Sequence, residues 1–302
     1  MFIEIRKRGE NKKYYLVHSY REKGKVKRIS RYLGSNLNEK KLIELRKRAE
    51  WHILSKIKEE SILQFELTKK EIKEYKKYES KIEINHLQTL DWKRFTDDFT
   101  YNTNAIEGST VALSKVKELL SGKEGPKDTD DFETINVAKA IEFIRNSNRK
   151  ITVDFINNLH LICFNRTKNF AGKLRQVNVV IKDSKGNIVH QGAPIDKIKE
   201  LLEELCNWYD KHKRKYPPLL LAAVMHNEFE KIHPFQDGNG RVGRLLLNYV
   251  LLQHKYPPIN IRLKNRKRYY ICLQKYDHKN DIETTLKFLI SQCKKQLRVS
   301  TK

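Results

Sequence analysis

A twelve-residue segment from His233 to Arg244 concentrates side chains and backbone groups that could do chemistry together; it reads HPFQDGNGRVGR. Its Gly-Asn-Gly run enters a predicted helix, so several backbone N–H groups lack a partner within the helix and point toward one place. Together with the helix dipole they form a nest for an anion such as phosphate. Gly238 and Gly240 allow positive φ and carry no side chain that would keep such a ligand away.

The charged side chains of this segment complement an anion nest. Arg241 and Arg244 are three residues apart, so both lie on one face of the first helical turn and can reach the same polyphosphate. Asp237 stands just outside the nest and could hold Mg²⁺ together with phosphate oxygens. His233 is the one side chain of the segment that can accept a proton near neutral pH. The combination predicts a phosphoryl- or nucleotidyl-transfer site, and the alternative is a structural loop that leads into a basic helix.

The segment resembles the signature of the Fic (filamentation induced by cAMP) family, His-x-Phe-x-Asp/Glu-Gly-Asn-Gly-Arg-x-x-Arg, and agrees with it at every specified position. The resemblance implies a mainly helical fold and transfer of AMP from Mg·ATP to a hydroxyl side chain of a target protein. It makes His233 the general base and Asp237 the Mg²⁺ ligand, and it makes Phe235 an anchor of the loop. The implied ATP-binding residues are Gly238, Asn239 and Gly240 for the α- and β-phosphates, and Arg241 and Arg244 for the β- and γ-phosphates.

The retained second glycine bears on which group is transferred. Family members that transfer phosphate instead of AMP usually carry a bulkier residue at that position. By the same resemblance, the presence of Gly240 favours AMP transfer.

A second segment, from Tyr101 to Gly108, could regulate this site. Thr103 and Glu107 are one helical turn apart and project from the same side of a helix that Gly108 would end. By itself this is a short capped helix. It also resembles the family's inhibitory motif, Ser/Thr-x-x-x-Glu-Gly/Asn, in the N-terminal arrangement called class II. The resemblance implies that Glu107 forms a salt bridge with Arg244.

An arginine that is paired with an internal carboxylate is not free for the γ-phosphate, so ATP would bind in a non-productive pose. The sequence therefore predicts a protein adenylyltransferase inhibited by its own glutamate. In some relatives the same glutamate supports the removal of AMP, so a deAMPylase that uses this site is the first alternative. Relatives of this class are also tuned by dimerisation, which leaves a homodimer as an open expectation.

The elements that must position these residues are mainly helical. Apolar residues recur at helical spacing from Leu87 onward. Between these helices lies an alternating stretch, QVNVVIKDSKGNIVHQGAP, which predicts a β-hairpin. The hairpin resembles the family's flap, and a target segment could add to it as a strand along 177–192. Helices are predicted over 132–147, 152–164, 194–212, 218–230, 240–253 and 265–296.

The first 35 residues have a different character, with eleven lysines and arginines against three glutamates. Their β-branched and aromatic residues predict a small three-stranded antiparallel sheet with a turn at Glu22-Lys23-Gly24. A helix capped by Asn36 or Asn38 should follow. Interleaved tyrosines could stack the bases of a nucleic acid, which would make the chain a nucleic-acid-binding regulator. The tyrosines are Tyr14, Tyr15, Tyr20 and Tyr32. The alternative is a solvated basic sheet that packs on the core or docks an acidic target.

Composition sets the remaining expectations. The chain has 302 residues and a formal charge of +25, so an anionic partner is expected. Its apolar runs are too short to span a bilayer and its N-terminus lacks the pattern of a signal peptide, which predicts a cytoplasmic protein without a membrane partner. Four widely spaced cysteines predict buried free thiols. The predicted domains are a basic β module at 1–35, a helical linker region at 36–88 and a Fic catalytic domain at 89–296.

Overall fold

The computed structural model describes residues 1–22, 25–61, 67–79, 90–182, 186 and 188–300. The chain divides into two compact units, Met1–Gln64 and Phe65–Lys302. The turn predicted at Lys23-Gly24, most of the predicted hairpin turn at 184–187 and the domain boundary near residue 88 lie outside the described residues. The three-part division of the chain stays a prediction.

The first unit is a small sheet packed on one helix. Strands β1 (Phe2–Arg8), β2 (Asn11–Glu22) and β3 (Lys25–Ser35) form an antiparallel sheet in the order β1-β2-β3, which confirms the predicted three-stranded sheet. The helix α1 (Glu39–Ser61) follows, and the Asn38 side chain caps it by accepting the Lys41 N–H at 2.9 Å. Apolar residues between sheet and helix form the core of this unit: Leu16, Ala49 and Ile53, with Met1, Ile3, Ile29 and Leu33 around them.

In the residues that the structure describes, the regular elements of the second unit are helices and one short hairpin. Its early helices are α2 (Lys69–Glu79), α3 (Trp92–Ile106), α4 (Leu113–Leu120), α5 (Thr129–Asn146) and α6 (Val153–Phe164). The hairpin strands β4 (Val180–Lys182) and β5 (Ile188–Gln191) come next. The later helices are α7 (Ile198–His212), α8 (Pro218–Ile232), α9 (Asn239–Gln253), α10 (Arg266–Lys279) and α11 (Ile282–Ser300).

The helical stretch predicted over 265–296 is two helices. Asn280 has a left-handed backbone with φ 53°, which ends α10. Asp281 then accepts the Thr284 N–H at 3.1 Å and starts α11. A short polar pair can therefore end one helix and cap the next, because asparagine tolerates the left-handed conformation and aspartate is a good N-cap.

Helices α8 and α9 form the centre of the second unit. Proline at the first position of α8 begins the helix without losing a needed N–H group. Nearly all side chains of α8 are buried, and so are those of α9 from Arg241 to Leu251. A helix that is buried on all sides must be packed by other helices, and here α5, α7 and α11 supply that packing. The signature segment therefore comprises the loop between two buried helices and the start of the second of them.

The four cysteines are free and buried, as predicted. Of the helices that the structure describes, none has the length and apolar character needed to cross a bilayer.

Candidate active site

The loop between α8 and α9 is held by two residues with left-handed backbones. His233 ends α8 with φ 52° and ψ 61°, and Gly238 precedes α9 with φ 81°. Between them Phe235 is fully buried, as the family resemblance implied. The Asn239 side chain accepts the Phe235 N–H and donates to the Phe235 carbonyl, both at 2.8 Å. The Asn239 amide therefore closes the loop on itself, and only its backbone is left to face a ligand.

His160 from α6 packs against the loop and forms a hydrogen bond with it. Its ring stacks on Phe235 with centroids 3.9 Å apart. Its Nδ1 lies 2.8 Å from the Gly172 backbone N–H, which can only donate, so the ring proton is on Nε2 and is donated to the Asp237 carbonyl at 3.1 Å. Burial lowers the pKa of His160 to about 4, so the ring is neutral at physiological pH.

The two signature glycines are required by close neighbours. At Gly238 a Cβ would overlap the ring of Phe164, and the backbone is already in the region that side chains disfavour. At Gly240 a Cβ would overlap the carboxylate of Glu107. The Glu107 carboxylate therefore lies against the first turn of α9, where unpaired N–H groups and the helix dipole attract an anion.

Arg244 is paired with the end of α3. Its guanidinium is 2% exposed, and Nη2 donates to Glu107 Oε1 at 2.7 Å, which is the contact that the family resemblance implies. Its Nε donates to the Thr103 hydroxyl at 2.7 Å, and Nη2 also donates to the Thr103 carbonyl at 3.0 Å. Burial opposes the charged form, but the Glu107 carboxylate together with the nearby Tyr269 and Glu230 outweighs it, so the pKa of Arg244 is raised above its ordinary range.

Arg241 and Asp237 form a second charged cluster beside the loop. The Arg241 guanidinium forms an ion pair with Glu133 and lies over the Phe164 ring, 4.3 Å from its centroid. The Asp237 carboxylate is half exposed, with Oδ1 3.6 Å from Arg241 and Oδ2 3.4 Å from Lys168. Arg241 is thus held by an internal carboxylate, whereas the sequence assigned it to ATP.

Asp237 has the chemistry of a Mg²⁺ ligand. Its Oδ1 accepts the Gly238 N–H at 2.6 Å, which fixes the carboxylate while the group remains half exposed. Mg²⁺ is usually held by one or two carboxylates together with phosphate oxygens and water. The residue fits that role, and the neighbouring Lys168 ammonium would compete with the metal for the same oxygen.

The proton on His233 can be assigned from its neighbour. Nδ1 lies 3.3 Å from the Glu230 carbonyl, which can only accept, so Nδ1 carries the proton and Nε2 is the basic nitrogen. The ring of His190, from β5, lies with its centroid 5.3 Å from that of His233. His190 in turn contacts Asp277 of α10, with Nδ1 and Oδ2 3.0 Å apart. A carboxylate–imidazole pair therefore stands beside the predicted base.

Two groups near the site, the buried Arg175 and the partly buried Glu230, were not assigned a role from the sequence. Arg175 donates from Nε to the His233 carbonyl and from Nη1 to the Val177 carbonyl, both at 2.8 Å, and from Nη2 to the Ala193 carbonyl. Burial lowers its pKa to about 10. Glu230 lies next to Arg244, and burial raises the pKa of its carboxyl to about 8. The signal that could have found Glu230 is a carboxylate inside the apolar helix that leads to the signature.

His233, Gly240, Arg244 and Glu107 surround one open pocket of about 440 Å³. This volume is in the range of small-molecule sites. The flap and α10 supply the other walls: Ile181, Val189 and His190 from the hairpin, and Tyr269, Tyr270, Leu273, Gln274 and Asp277 from α10. The other predicted site residues adjoin it: Thr103 behind Arg244, and Asp237, Gly238, Asn239 and Arg241 in the loop and first turn of α9.

Part of this chain is similar to known proteins of one family. Residues 150–251 match the model of the Fic/DOC family. The chain is 28% identical over 202 residues to the protein adenylyltransferase Fic of Nematostella vectensis, an alignment that covers 64% of this chain and 45% of that protein. The chain spans less than half the length of the curated relatives it matches.

Solved structures are similar over more of the chain. A Fic domain-containing signalling protein from Bacteroides thetaiotaomicron has a TM-score of 0.66 and 25% identity, over 76% of this chain and 94% of that one. IbpAFic2 covalently tethered to Cdc42 has a TM-score of 0.54 and 17% identity, over 86% of this chain and 84% of that one, and shows the fold alone. The predicted fold class, a mainly α Fic-type bundle with a small N-terminal sheet, is confirmed.

Proposed function

Because residues 150–251 match the Fic/DOC family model and the curated relatives are named protein adenylyltransferases, we propose that the chain is a protein adenylyltransferase that transfers AMP from Mg·ATP to a Ser, Thr or Tyr hydroxyl of a target protein. The observation that carries the proposal is the pocket in which His233, Gly240 and Arg244 meet. It brings together a base, an anion-binding helix start and a guanidinium, which are the groups that nucleotidyl transfer needs.

The reaction follows from the tautomer of the histidine. Nε2 of His233 accepts the proton of the target hydroxyl, and the hydroxyl oxygen forms a bond to the α-phosphorus while the bond to the bridging oxygen of pyrophosphate breaks. The N–H groups at Asn239 and Gly240 would stabilise charge on the α- and β-phosphates, and the Gly238 N–H could join them only if it left the Asp237 carboxylate. Asp237 would hold Mg²⁺, which neutralises phosphate charge when bound.

Arg241 can bind ATP only after a rearrangement, or else it has a different role. It is held by Glu133, so its contact with a phosphate would require that ion pair to open. Its neighbour Arg244 has a comparable internal partner in Glu107. ATP therefore meets two arginines that already have carboxylate partners.

We further propose that Glu107 inhibits the transfer reaction. Its carboxylate contacts Arg244 and lies against Gly240, so it occupies both the cation and the helix start that a polyphosphate would use. A negative charge there repels the phosphates and leaves Arg244 unable to orient the γ-phosphate.

The flap is the proposed docking place for the target. Its described residues along 177–192 include three apolar side chains that are substantially exposed: Val177, Val180 and Ile181. An exposed two-stranded hairpin can accept an extended segment as a further strand, with the apolar side chains giving contact area. The curated relatives, which are named protein adenylyltransferases, support a protein as the acceptor.

Incubation with ATP labelled at the α-phosphate tests the proposal. Glu107→Gly should label itself or lysate proteins strongly, and Glu107→Gly/His233→Ala should label neither. Label that persists without His233 would overturn the base assignment. Equal labelling by the parent protein and Glu107→Gly would overturn the inhibition. Label from γ-phosphate-labelled ATP would instead identify phosphate transfer.

The reverse reaction is the second candidate. The Glu107 carboxylate stands beside Gly240, where it could accept a proton from a water molecule whose oxygen bonds to the phosphorus of an AMP-modified side chain. The bond from phosphorus to the side-chain oxygen then breaks, AMP leaves and the side-chain oxygen takes up a proton. In that case the parent protein should strip AMP from a target labelled by Glu107→Gly, and Glu107→Gly should not. A cytoplasmic location and a homodimer stay predictions.

A further inference from the structure

One face of the N-terminal sheet is covered by α1, and no element among the described residues of that unit covers the other. The residues that contact α1 alternate along the strands, as the two-residue period of a sheet requires. The residues between them project from the opposite face. Those with described side chains include Phe2, Glu4, Arg6, Lys13, Tyr15, Val17, Arg28, Ser30 and Tyr32.

This open face carries one aromatic residue on each strand. Tyr15 and Tyr32 are direct cross-strand partners with ring centroids 5.2 Å apart, and Phe2 lies two residues along β1 from the partner of Tyr15. Phe2 is 53% exposed and Tyr32 is 52% exposed, around a buried Val17 at the centre of the face. Neighbouring exposed apolar side chains that form one patch are typical of an interaction surface.

Cations lie among these rings. The Arg6 guanidinium is 4.3 Å from the Tyr15 centroid, and that of Arg28 is 5.9 Å from the Phe2 centroid. Glu4 forms ion pairs with both arginines, so a single carboxylate holds two guanidiniums over the face while both remain more than half exposed. Guanidinium planes and aromatic rings in alternation match the phosphates and bases of a nucleic acid strand.

We infer that the open face of the β1-β2-β3 sheet, with Phe2, Tyr15 and Tyr32 as its stacking residues and Arg6 and Arg28 as its phosphate-binding residues, binds single-stranded RNA. The charge of residues 1–35, eleven basic residues against three acidic ones, complements a phosphodiester backbone. Exposed rings need unpaired bases, because the bases of a duplex stack on each other. This function is independent of the nucleotide chemistry proposed for the second unit.

The hydroxyls at one edge favour ribose over deoxyribose. Tyr32 and Ser35 share a hydrogen bond of 2.7 Å between their hydroxyl oxygens, and one of the two donates to the other. The second hydroxyl hydrogen is directed elsewhere and can meet a ribose 2′-hydroxyl beside a stacked base. That group is what lets a protein distinguish RNA from DNA.

The test measures binding of the full-length protein to fluorescent oligonucleotides of about 12 nucleotides, within the site sizes of sheet-based single-strand binders. The probes are unstructured RNA, DNA of the same sequence and the DNA duplex. RNA should bind tightest. Arg6→Gln/Arg28→Gln should weaken binding about tenfold and make the salt dependence shallower by about 1.4 in log–log slope, as loss of two phosphate contacts predicts.

Matched variants separate this face from the general charge of the chain. Lys40→Gln/Lys47→Gln on α1 removes the same charge from the other side of the unit and should change affinity less than threefold. Tyr32→Ala should weaken binding to RNA and single-stranded DNA alike, by about tenfold. Tyr32→Phe keeps the ring and should lower only the preference for RNA. Each altered side chain is exposed, so circular dichroism should be unchanged.

Three results would overturn the inference. Equal loss in the arginine and lysine double variants would mean that binding follows net charge alone. Tighter binding of the duplex than of either single strand would assign the surface to double-stranded DNA. Displacement of RNA by polyglutamate at equal charge concentration would assign it to an acidic protein.

Discussion

At the scale of single residues, specific contacts with neighbouring groups explain features of the signature positions. The Glu230 carbonyl determines the tautomer of His233, and the Glu107 carboxylate fills the space that a Cβ at Gly240 would take. The residue types could be inferred from sequence because chemistry restricts them. The partner of Arg241 could not, because Glu133 lies more than a hundred residues away and nothing local connects the two.

Glu230 provides a residue-scale prediction about pH. Its pKa is about 8 in the folded chain, raised by burial above the usual value of 4.5. Between about pH 4.5 and pH 8 the unfolded chain has lost this proton while the folded chain retains it, so stability falls as pH rises through that window. Glu230→Gln should remove this contribution.

The measurement is the melting temperature of parent and variant across that pH range. The difference should shift in favour of Glu230→Gln as pH rises to about 8 and then stay constant. Glu228→Gln is the matched control, because it removes another carboxylate of α8. The Glu228 carboxylate is buried and accepts a hydrogen bond from the Tyr276 hydroxyl. A difference for Glu230→Gln that does not vary with pH would contradict the prediction.

At the scale of elements, α3, the α8–α9 pair and the flap meet around the pocket. Each starts for a local reason: Asp91 caps α3 by accepting the Arg94 N–H at 3.0 Å, and proline begins α8. What joins the elements is not local. Arg175, just before the flap, donates to carbonyls on both sides of the hairpin and to His233.

Arg175→Met should therefore uncouple the flap from the base. It leaves three carbonyls without their donor and should destabilise the second unit by about 2 kcal/mol or more. In a Glu107→Gly background, transfer to a target should fall more than tenfold while ATP affinity changes little. Arg175→Lys, which keeps a charge and some donors, should recover part of the rate.

Labelling kinetics and ATP titration by fluorescence give the two readouts. A proportional loss of ATP affinity and transfer in Arg175→Met would mean that the residue only stabilises the fold. Full activity in that variant would mean that the flap and His233 are positioned without it.

At the scale of the whole molecule, the chain is two compact units with separate cores. The proposals assign them separate tasks, RNA binding for the sheet and AMP transfer for the helical unit. If so, a substitution that destabilises the core of the first unit should leave AMP transfer by the second unit intact. Leu16 is fully buried in the small core against Ala49 and Ile53, which makes it the place to test this.

Leu16→Ala should destabilise the first unit by about 2 to 5 kcal/mol, because a buried leucine is removed from a core of few residues. Hydrogen exchange resolved by segment should show faster exchange within residues 1–61 and unchanged exchange in α8 and α9. RNA binding should fall, and labelling by the Glu107→Gly background should persist. Loss of both activities would show that the two units depend on each other.

The sequence by itself determined the helix–hairpin architecture, the candidate base and the phosphate-binding turn, because periodicity, glycine and charge act over a few residues. It also allowed Glu107 and Arg244 to be paired through a family resemblance. Only the tertiary structure decided which side chains hold Arg241 and His233, how His160 supports the loop and which sheet face is open. Those contacts join residues far apart in the chain, and packing alone brings them together.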